Sequence, residues 1–292
     1  MKLDEQIQSQ KRELEPFFGI TDGRWDNLML RLQKELKPQQ DYYDEVVWTF
    51  LLSLAFVSDG AAGVNALYQA LTGTAEKIET SNAIRLEALP IPPRIMEGNT
   101  NIDLALGAIS ERSGTPGGID YDIQKGKSIV FCEMKWYSDI STKVTHDQTR
   151  NQLSRIIENA MTFQTNGKFP EKVTVTLVTP QLFVGQAIKS RLYQYKFEEY
   201  KNSPKSLIDE WRASHHLMKP RNSEDPRSSF PDWTYPEEEE LRDRLMHGFE
   251  IKHISFEELF EKAPDTPLTA SIRAFVAEHN HATNRFGQLA PA

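Results

Sequence analysis

Along the first part of the chain apolar residues recur among charges at helical spacing. Leu28, Leu30 and Leu32 sit in a charged stretch, and Val46, Val47, Phe50, Leu51 and Leu54 follow between Asp41 and Phe56. A stripe of this kind buries one face of a helix. Residues 3–80 therefore read as a helical cover for whatever follows.

The pattern changes at Ser81. Residues 83–94 give a short apolar strand halted by prolines, and Gly98-Asn99-Thr100-Asn101 is a turn. Three strand-like runs come next: 101–110, a weaker one at 118–123, and 127–137. The Gly-rich stretch at 113–118 and the turn at 124–126 separate them.

Thr145 and Gln148 form a capping box, with Asp147 suited to a positive helix start. The helix they open carries Leu153, Ile156, Ile157, Ala160 and Met161 on one face. The β-branched run 173–178 then reads as a fully buried strand. Strands, helix and buried strand in that order predict a mixed sheet with a right-handed crossover.

Residues 185–236 read as helical and then irregular around Pro220, Pro226 and Pro231. Pro236 and the acids at 237–240 open a helix ending at Gly248. Residues 249–254 read as a last strand, Ser255 and Glu258 as another capping box, and the tail beyond Pro264 as peripheral. The expectation is an α/β chain: a helical cover over 1–80, a core over 81–200, and an extension over 201–292 packed on that core.

Composition narrows the function. The 292 residues carry 34 Lys and Arg against 42 Asp and Glu, a formal charge of −8, which excludes a broad basic coat for nucleic acid. The longest apolar stretch, 46–57, is too short to span a bilayer, and the polar N-terminus is unlike a signal sequence. A soluble, cytoplasmic protein without membrane contact is expected. The single Cys132 lies in an apolar run and reads as a core residue. No G-x-S-x-G, P-loop or G-x-G-x-x-G motif is present, which argues against serine hydrolysis and ATP use. His215 and His216 read as exposed, and His279-Asn280-His281 as a coincidence in a polar tail.

Chemistry concentrates in residues 129–137. Side chains alternate along a strand, so Ile129, Phe131, Glu133, Lys135 and Tyr137 share a face. Two charges in an apolar strand cost several kcal/mol unless paired, wet or metal-bound. A second carboxylate nearby would let two acids hold Mg²⁺ while the lysine stabilises developing negative charge. Two candidates offer it. If 101–110 pairs antiparallel with 128–137, partner numbers sum to 238 and Asp103 faces Lys135 beside Glu133. If 118–123 pairs instead, Asp120 reaches Glu133. Asp103 is favoured because it opens the stronger strand, and Asp120 stays open as the alternative.

These residues resemble the PD-(D/E)XK nuclease superfamily, whose signature is an acid at a strand start followed by (D/E)-x-K on the next strand. Here the match is Asn101-Ile102-Asp103 and Glu133-Met134-Lys135, within an order of elements spanning about residues 81–178. The chain departs from the pattern in having Ile102 where proline precedes the acid, 29 residues between Asp103 and Glu133, and no tyrosine four positions after Gln152.

The resemblance implies a restriction-endonuclease-like αβββαβ core, a mixed central sheet flanked by helices. It implies a Mg²⁺-dependent nuclease, with Mn²⁺ able to substitute, hydrolysing DNA phosphodiesters as an endonuclease of restriction, defence or repair type. Asp103, Glu133 and the Met134 carbonyl would hold the metal, with Asp120 the alternative ligand. Lys135 would orient or activate water and stabilise the transition state, and Gln152 would steady the site. Glu45 could be the additional acid some members carry on a helix, but reads first as a surface carboxylate. A homodimer is a further expectation from the family. The rivals are an inactive nuclease-fold binding or assembly module and an RNA-directed nuclease.

Net acidity is compatible with a local basic groove. Residues 111–155 hold seven basic and six acidic residues, a balance of +1 against −9 elsewhere. Lys143, Arg150, Arg155 and Trp136, with Tyr137, are the expected nucleic-acid contacts.

Overall fold

The structure, a computed structural model, describes residues 2–18, 23–35, 44–95, 97–141, 150–185, 191–222, 230 and 232–279. Five helices come first: α1 (Leu3–Ser9), α2 (Lys11–Phe18), α3 (Arg24–Glu35), α4 (Glu45–Val57) and α5 (Gly60–Thr72). In α4 every residue from Val47 to Val57 is buried, as a helix apolar on all sides must be. Asp44 caps it, accepting from the Val46 and Val47 amides at 3.1 and 3.3 Å. Two 2.7 Å bonds from Arg31 hold that cap. The helical cover stops short of residue 80, because Gly73 ends α5 in the left-handed conformation at φ 68°.

The strands are β1 (Ile84–Ala88), β2 (Ile102–Gly107), β3 (Ile109–Glu111), β4 (Ile119–Tyr121) and β5 (Ser128–Met134). They are followed by α6 (Gln152–Met161), β6 (Lys172–Thr179), α7 (Leu192–Asn202), α8 (Lys205–Ser214) and α9 (Glu238–His247). The chain continues through β7 (Phe249–Ser255), α10 (Phe256–Lys262) and α11 (Pro267–His279). The main sheet has the order β1-β2-β5-β6-β7. Its first three strands are antiparallel and its last three parallel. The protein is therefore α/β, with a mixed five-stranded sheet covered by helices on both faces.

Alternation along β5 divides two cores. Val130, Cys132 and Met134 face the layer of α4, α5, α10 and α11, whereas Ile129 and Phe131 face α6 to α9. With both faces covered, β5 and β6 are buried over almost their whole length, which explains their unbroken apolar runs.

Three expectations are corrected here. Residues 101–110 are not one strand. Gly107 adopts φ 108°, and a Cβ there would lie 2.4 Å from the Ser128 carbonyl oxygen, so the chain breaks and β3 leaves to pair with β4 as a separate two-stranded sheet. The β2–β5 register pairs Leu104 with Cys132, two residues from the expected alignment. A slip of two keeps every side chain on its face, and it moves Asp103 level with Glu133. The C-terminal segment is not peripheral: Leu268, Ile272 and Phe275 of α11 are buried, and Thr269 donates to the Ala55 carbonyl at 2.7 Å.

The stripe of Leu153, Ile156, Ile157, Ala160 and Met161 on α6 is buried as expected. Asn151 caps α6, accepting from the Ser154 amide at 3.0 Å, while the Thr145, Asp147 and Gln148 signal lies outside the described residues. Ser255 caps α10 by accepting from the Glu258 amide. Among the described residues no helix is long and apolar enough to cross a membrane.

Candidate active site at the end of the central sheet

Pairing of β2 with β5 brings Asp103 to the strand that carries Glu133 and Lys135. Asp103 Oδ2 accepts from the Met134 amide at 2.7 Å. Lys135 continues the line of β5, its amide donating to the Val178 carbonyl at 2.9 Å. Its Nζ lies 2.6 Å from Glu133 Oε1 and 3.4 Å from Glu45 Oε2, and donates to the Met134 carbonyl at 3.2 Å. Glu133 is fully buried and Lys135 nearly so.

Glu45 completes the group. As the first residue of α4 it sits at a positive helix end, where it also accepts from the Trp136 amide at 3.0 Å and from the Ser138 hydroxyl. The reading of Glu45 as a surface carboxylate is thus corrected. Asp44 followed by Glu45 marks a helix start in the sequence, but nothing local says that this start abuts the end of β5.

Three carboxylates around one ammonium set the electrostatics. Burial, then the Glu133 charge, holds the Asp103 carboxyl well above its ordinary range, against the opposing pull of Lys135 and the Met134 amide. Burial also raises Glu133, with Lys135 opposing. For Lys135 burial works against the charge, but Glu133, Asp103 and Glu45 outweigh it and push its pKa up. The lysine is therefore a firm ammonium at neutral pH, suited to stabilising negative charge and orienting water rather than to taking a proton.

The residues fit a hard cation. Glu133 Oε2 is buried with no hydrogen-bond partner, a costly state for an anionic oxygen. The Glu133 charge raises the proton affinity of the Asp103 carboxyl, as a nearby anion does. Among the described residues no group of three or more His, Cys, Asp or Glu side chains converges to hold an ion. Mg²⁺ commonly takes one or two carboxylates and keeps several waters, so Asp103, Glu133 and the Met134 carbonyl are a sufficient set.

Asp120 is placed elsewhere. It stands on β4 opposite Ser110 and pairs with Arg112 at 3.3 Å. Asp120→Asn should lower stability in urea unfolding by less than about 1 kcal/mol, since a partly exposed pair contributes little.

Gln152 opens α6, donating from its amide to the Ser141 carbonyl at 3.0 Å and accepting from the Ser141 amide at 3.3 Å. Asp139 accepts from the Leu192 and Tyr193 amides at the start of α7, at 2.7 and 3.3 Å. Glu45, Asp139 and Gln152 together pin the segment that follows Lys135. Gln152 thus supports the site through its backbone surroundings.

The expected nucleic-acid contacts are largely corrected. Trp136 points to the α4 side and stacks on Trp48, ring centroids 4.1 Å apart, with 1% exposure. Arg155 is buried, bonding Glu97 at 3.0 Å and Thr100 at 2.8 Å. Arg150 is fully buried between Glu97 and Glu158, and Arg94 pairs with Glu158 at 2.5 Å. Glu97 draws Arg150 and Arg155 inward, and Glu158 draws Arg94 and Arg150. Tyr137 is partly buried with its ring edge-on to Trp136, and Lys143 lies outside the described residues. Two histidine expectations change as well: His215 is half-buried and His279 buried.

Arg150→Met should cost about 3 kcal/mol in urea unfolding, because it leaves the buried Glu97 with Arg155 alone and the buried Glu158 with Arg94 alone as cationic partners. A change under about 1 kcal/mol would show that the network re-pairs without it.

No protein family, curated protein or solved structure matches this chain.

Proposed function

We propose that the protein is a metal-dependent nuclease of the PD-(D/E)XK type, acting on DNA. The observation that carries this reading is the bond from the Met134 amide to Asp103, which seats an acid from one strand against Glu133 and Lys135 on the next. The sheet supports it: the antiparallel β1, β2 and β5 lead through α6 to the parallel β6, the arrangement expected of a restriction-endonuclease-like core. Glu45 supports it too, as a third carboxylate beside the Lys135 ammonium.

Asp103, Glu133 and the Met134 carbonyl would hold Mg²⁺, which would supply Lewis acidity for phosphodiester hydrolysis. Lys135, a fixed ammonium, stabilises the charge that develops on the phosphorane-like oxygens and orients the attacking water. Glu45 holds Lys135 in place and ties down the main chain at Trp136.

The rival is a nuclease-fold binding or assembly module without catalysis. Burial of Arg150, Arg155 and Trp136, which removes three expected nucleic-acid contacts, is the observation in its favour. The test is incubation of the purified protein with supercoiled plasmid, single-stranded DNA and RNA, with Mg²⁺ or Mn²⁺ and with EDTA. Nicked or linear plasmid only with metal supports the proposal. Cleavage of RNA alone moves it to an RNA-directed enzyme, and cleavage of nothing favours the module.

A further inference from the structure

The two edges of the central sheet differ. On the β1 side the carbonyls of Leu86 and Glu87 accept from Arg24 at 3.1 and 3.4 Å, Glu87 turns to φ 47°, and the Leu89 amide donates to the Gly117 carbonyl at 2.8 Å. That edge is closed to further pairing.

The β7 side is open. In a parallel ladder alternate residues of a strand bond to the same neighbour. The Val173 amide donates to the Gly248 carbonyl at 2.7 Å, so the main-chain groups of Glu250 and Lys252 turn towards β6 and those of Phe249, Ile251 and His253 turn outward. Among the described residues none of these outward amides and carbonyls bonds another main-chain group. The strand contains no proline and no residue of positive φ, and Phe249, Glu250, Lys252 and His253 all keep exposed surface. A bare edge of this kind is a template for another strand.

The charges on the edge select which strand. Glu250 and Lys252 lie on one face, 2.9 Å apart, with side chains 59% and 27% exposed. An antiparallel pair of identical strands is two-fold symmetric, and outward groups meet outward groups only when the axis passes through a residue. An axis at Glu250 sets acid against acid, and one at Lys252 sets base against base; both are destabilising. An axis at Ile251 sets Glu250 opposite Lys252 twice, in the non-hydrogen-bonded positions where side chains come closest. It also places Ile251 against Ile251 and Phe249 against His253 in the hydrogen-bonded positions. About residue 251 the strand is complementary in charge to its own reverse, a match that an unrelated extended peptide lacks.

We propose that β7 pairs antiparallel with β7 of a second copy of this chain about a two-fold axis at Ile251, joining the two five-stranded sheets. Both copies use the same edge, so the assembly closes at two. In the sheet order β6 separates this edge from the strands that carry Asp103 and Glu133, and the proposal does not depend on the nuclease reading.

The test is sedimentation equilibrium of the full-length protein. A monomer–dimer equilibrium without larger species is expected below about 100 µM. Glu250→Lys and Lys252→Glu each set like charges opposite one another and should weaken the dimer about tenfold or more at low salt. An equimolar mixture of the two variants restores opposite charges at both positions and should dimerise as wild type does, as should the double variant Glu250→Lys/Lys252→Glu. Should a variant fail to fold, hydrogen exchange on wild type decides: the Phe249, Ile251 and His253 amides should exchange more slowly as protein concentration rises through the dimerisation range. The proposal is overturned by a monomer throughout that range, by a trimer or larger assembly, by a dimer indifferent to either charge reversal, by failure of the folded variants to pair when mixed, or by exchange at these amides that is independent of concentration.

Discussion

Lys135→Ala should lower metal-dependent cleavage on the order of a thousandfold, the scale of losing an oriented charge donor at a developing oxyanion. The ammonium is within reach of Glu133, Glu45 and the Met134 carbonyl, whereas Arg155, whose charge also acts on Glu133, is engaged by Glu97 and Thr100. Its removal also strands Glu133, which is fully buried. Stability should fall by about 3 kcal/mol at pH 8. The raised pKa of Lys135 fixes the sign: its contribution is complete below the ordinary lysine value of 10.5 and is lost only as pH climbs through the raised value. The alanine variant therefore forfeits the whole contribution at neutral pH, and recovers part of it at lower pH as Glu133 takes up a proton. Plasmid nicking assays and urea melts at two pH values measure both effects. Undiminished cleavage by a folded variant would remove the active centre from this place.

The site was legible where it depends on alternation and illegible where it depends on distant packing. Residues 129–137 reveal the shared face of Glu133 and Lys135 because a strand has period two, and the apolar neighbours show that the face is buried. Asp103 survived an error in register because a slip of two leaves it on the same face. Gly107 shows the opposite case: its break follows from the close approach of the Ser128 carbonyl, a contact across strands that no local pattern encodes. Glu45 belongs to the site only because the start of α4 meets the end of β5. The α11 residues look like a polar tail until α4 is there to receive Leu268 and Ile272.

Arg150 and Arg155 change the charge argument. In sequence they make the window 111–155 basic, but in the fold Glu97 and Glu158 neutralise them inside the protein. That balance never reaches the surface. On the proposed reading, attraction for phosphate at the site would come from a bound cation and Lys135. Nucleic-acid affinity, if the proposed reading holds, should depend on metal far more than on exposed arginines.

Asp103→Asn should lower cleavage by about a hundredfold to a thousandfold and flatten a pH dependence that the wild type shows without metal. Asparagine keeps an oxygen to accept from the Met134 amide, so the strand pairing stays. The Asp103 carboxyl is raised above its ordinary 3.8 by burial and by Glu133. Between that value and the raised one the folded chain holds a proton that the unfolded chain has released. Stability from this group is thus greatest on the acid side and declines as pH rises through the window. Thermal melts in EDTA from about pH 5 to about pH 8 should therefore show wild type losing stability relative to Asp103→Asn as pH increases. Mg²⁺ should reverse the loss at the alkaline end for wild type, by binding the folded state alone, and do much less for the variant. Parallel curves for the two proteins, with and without Mg²⁺, would mean that Asp103 neither carries the raised proton nor holds the ion.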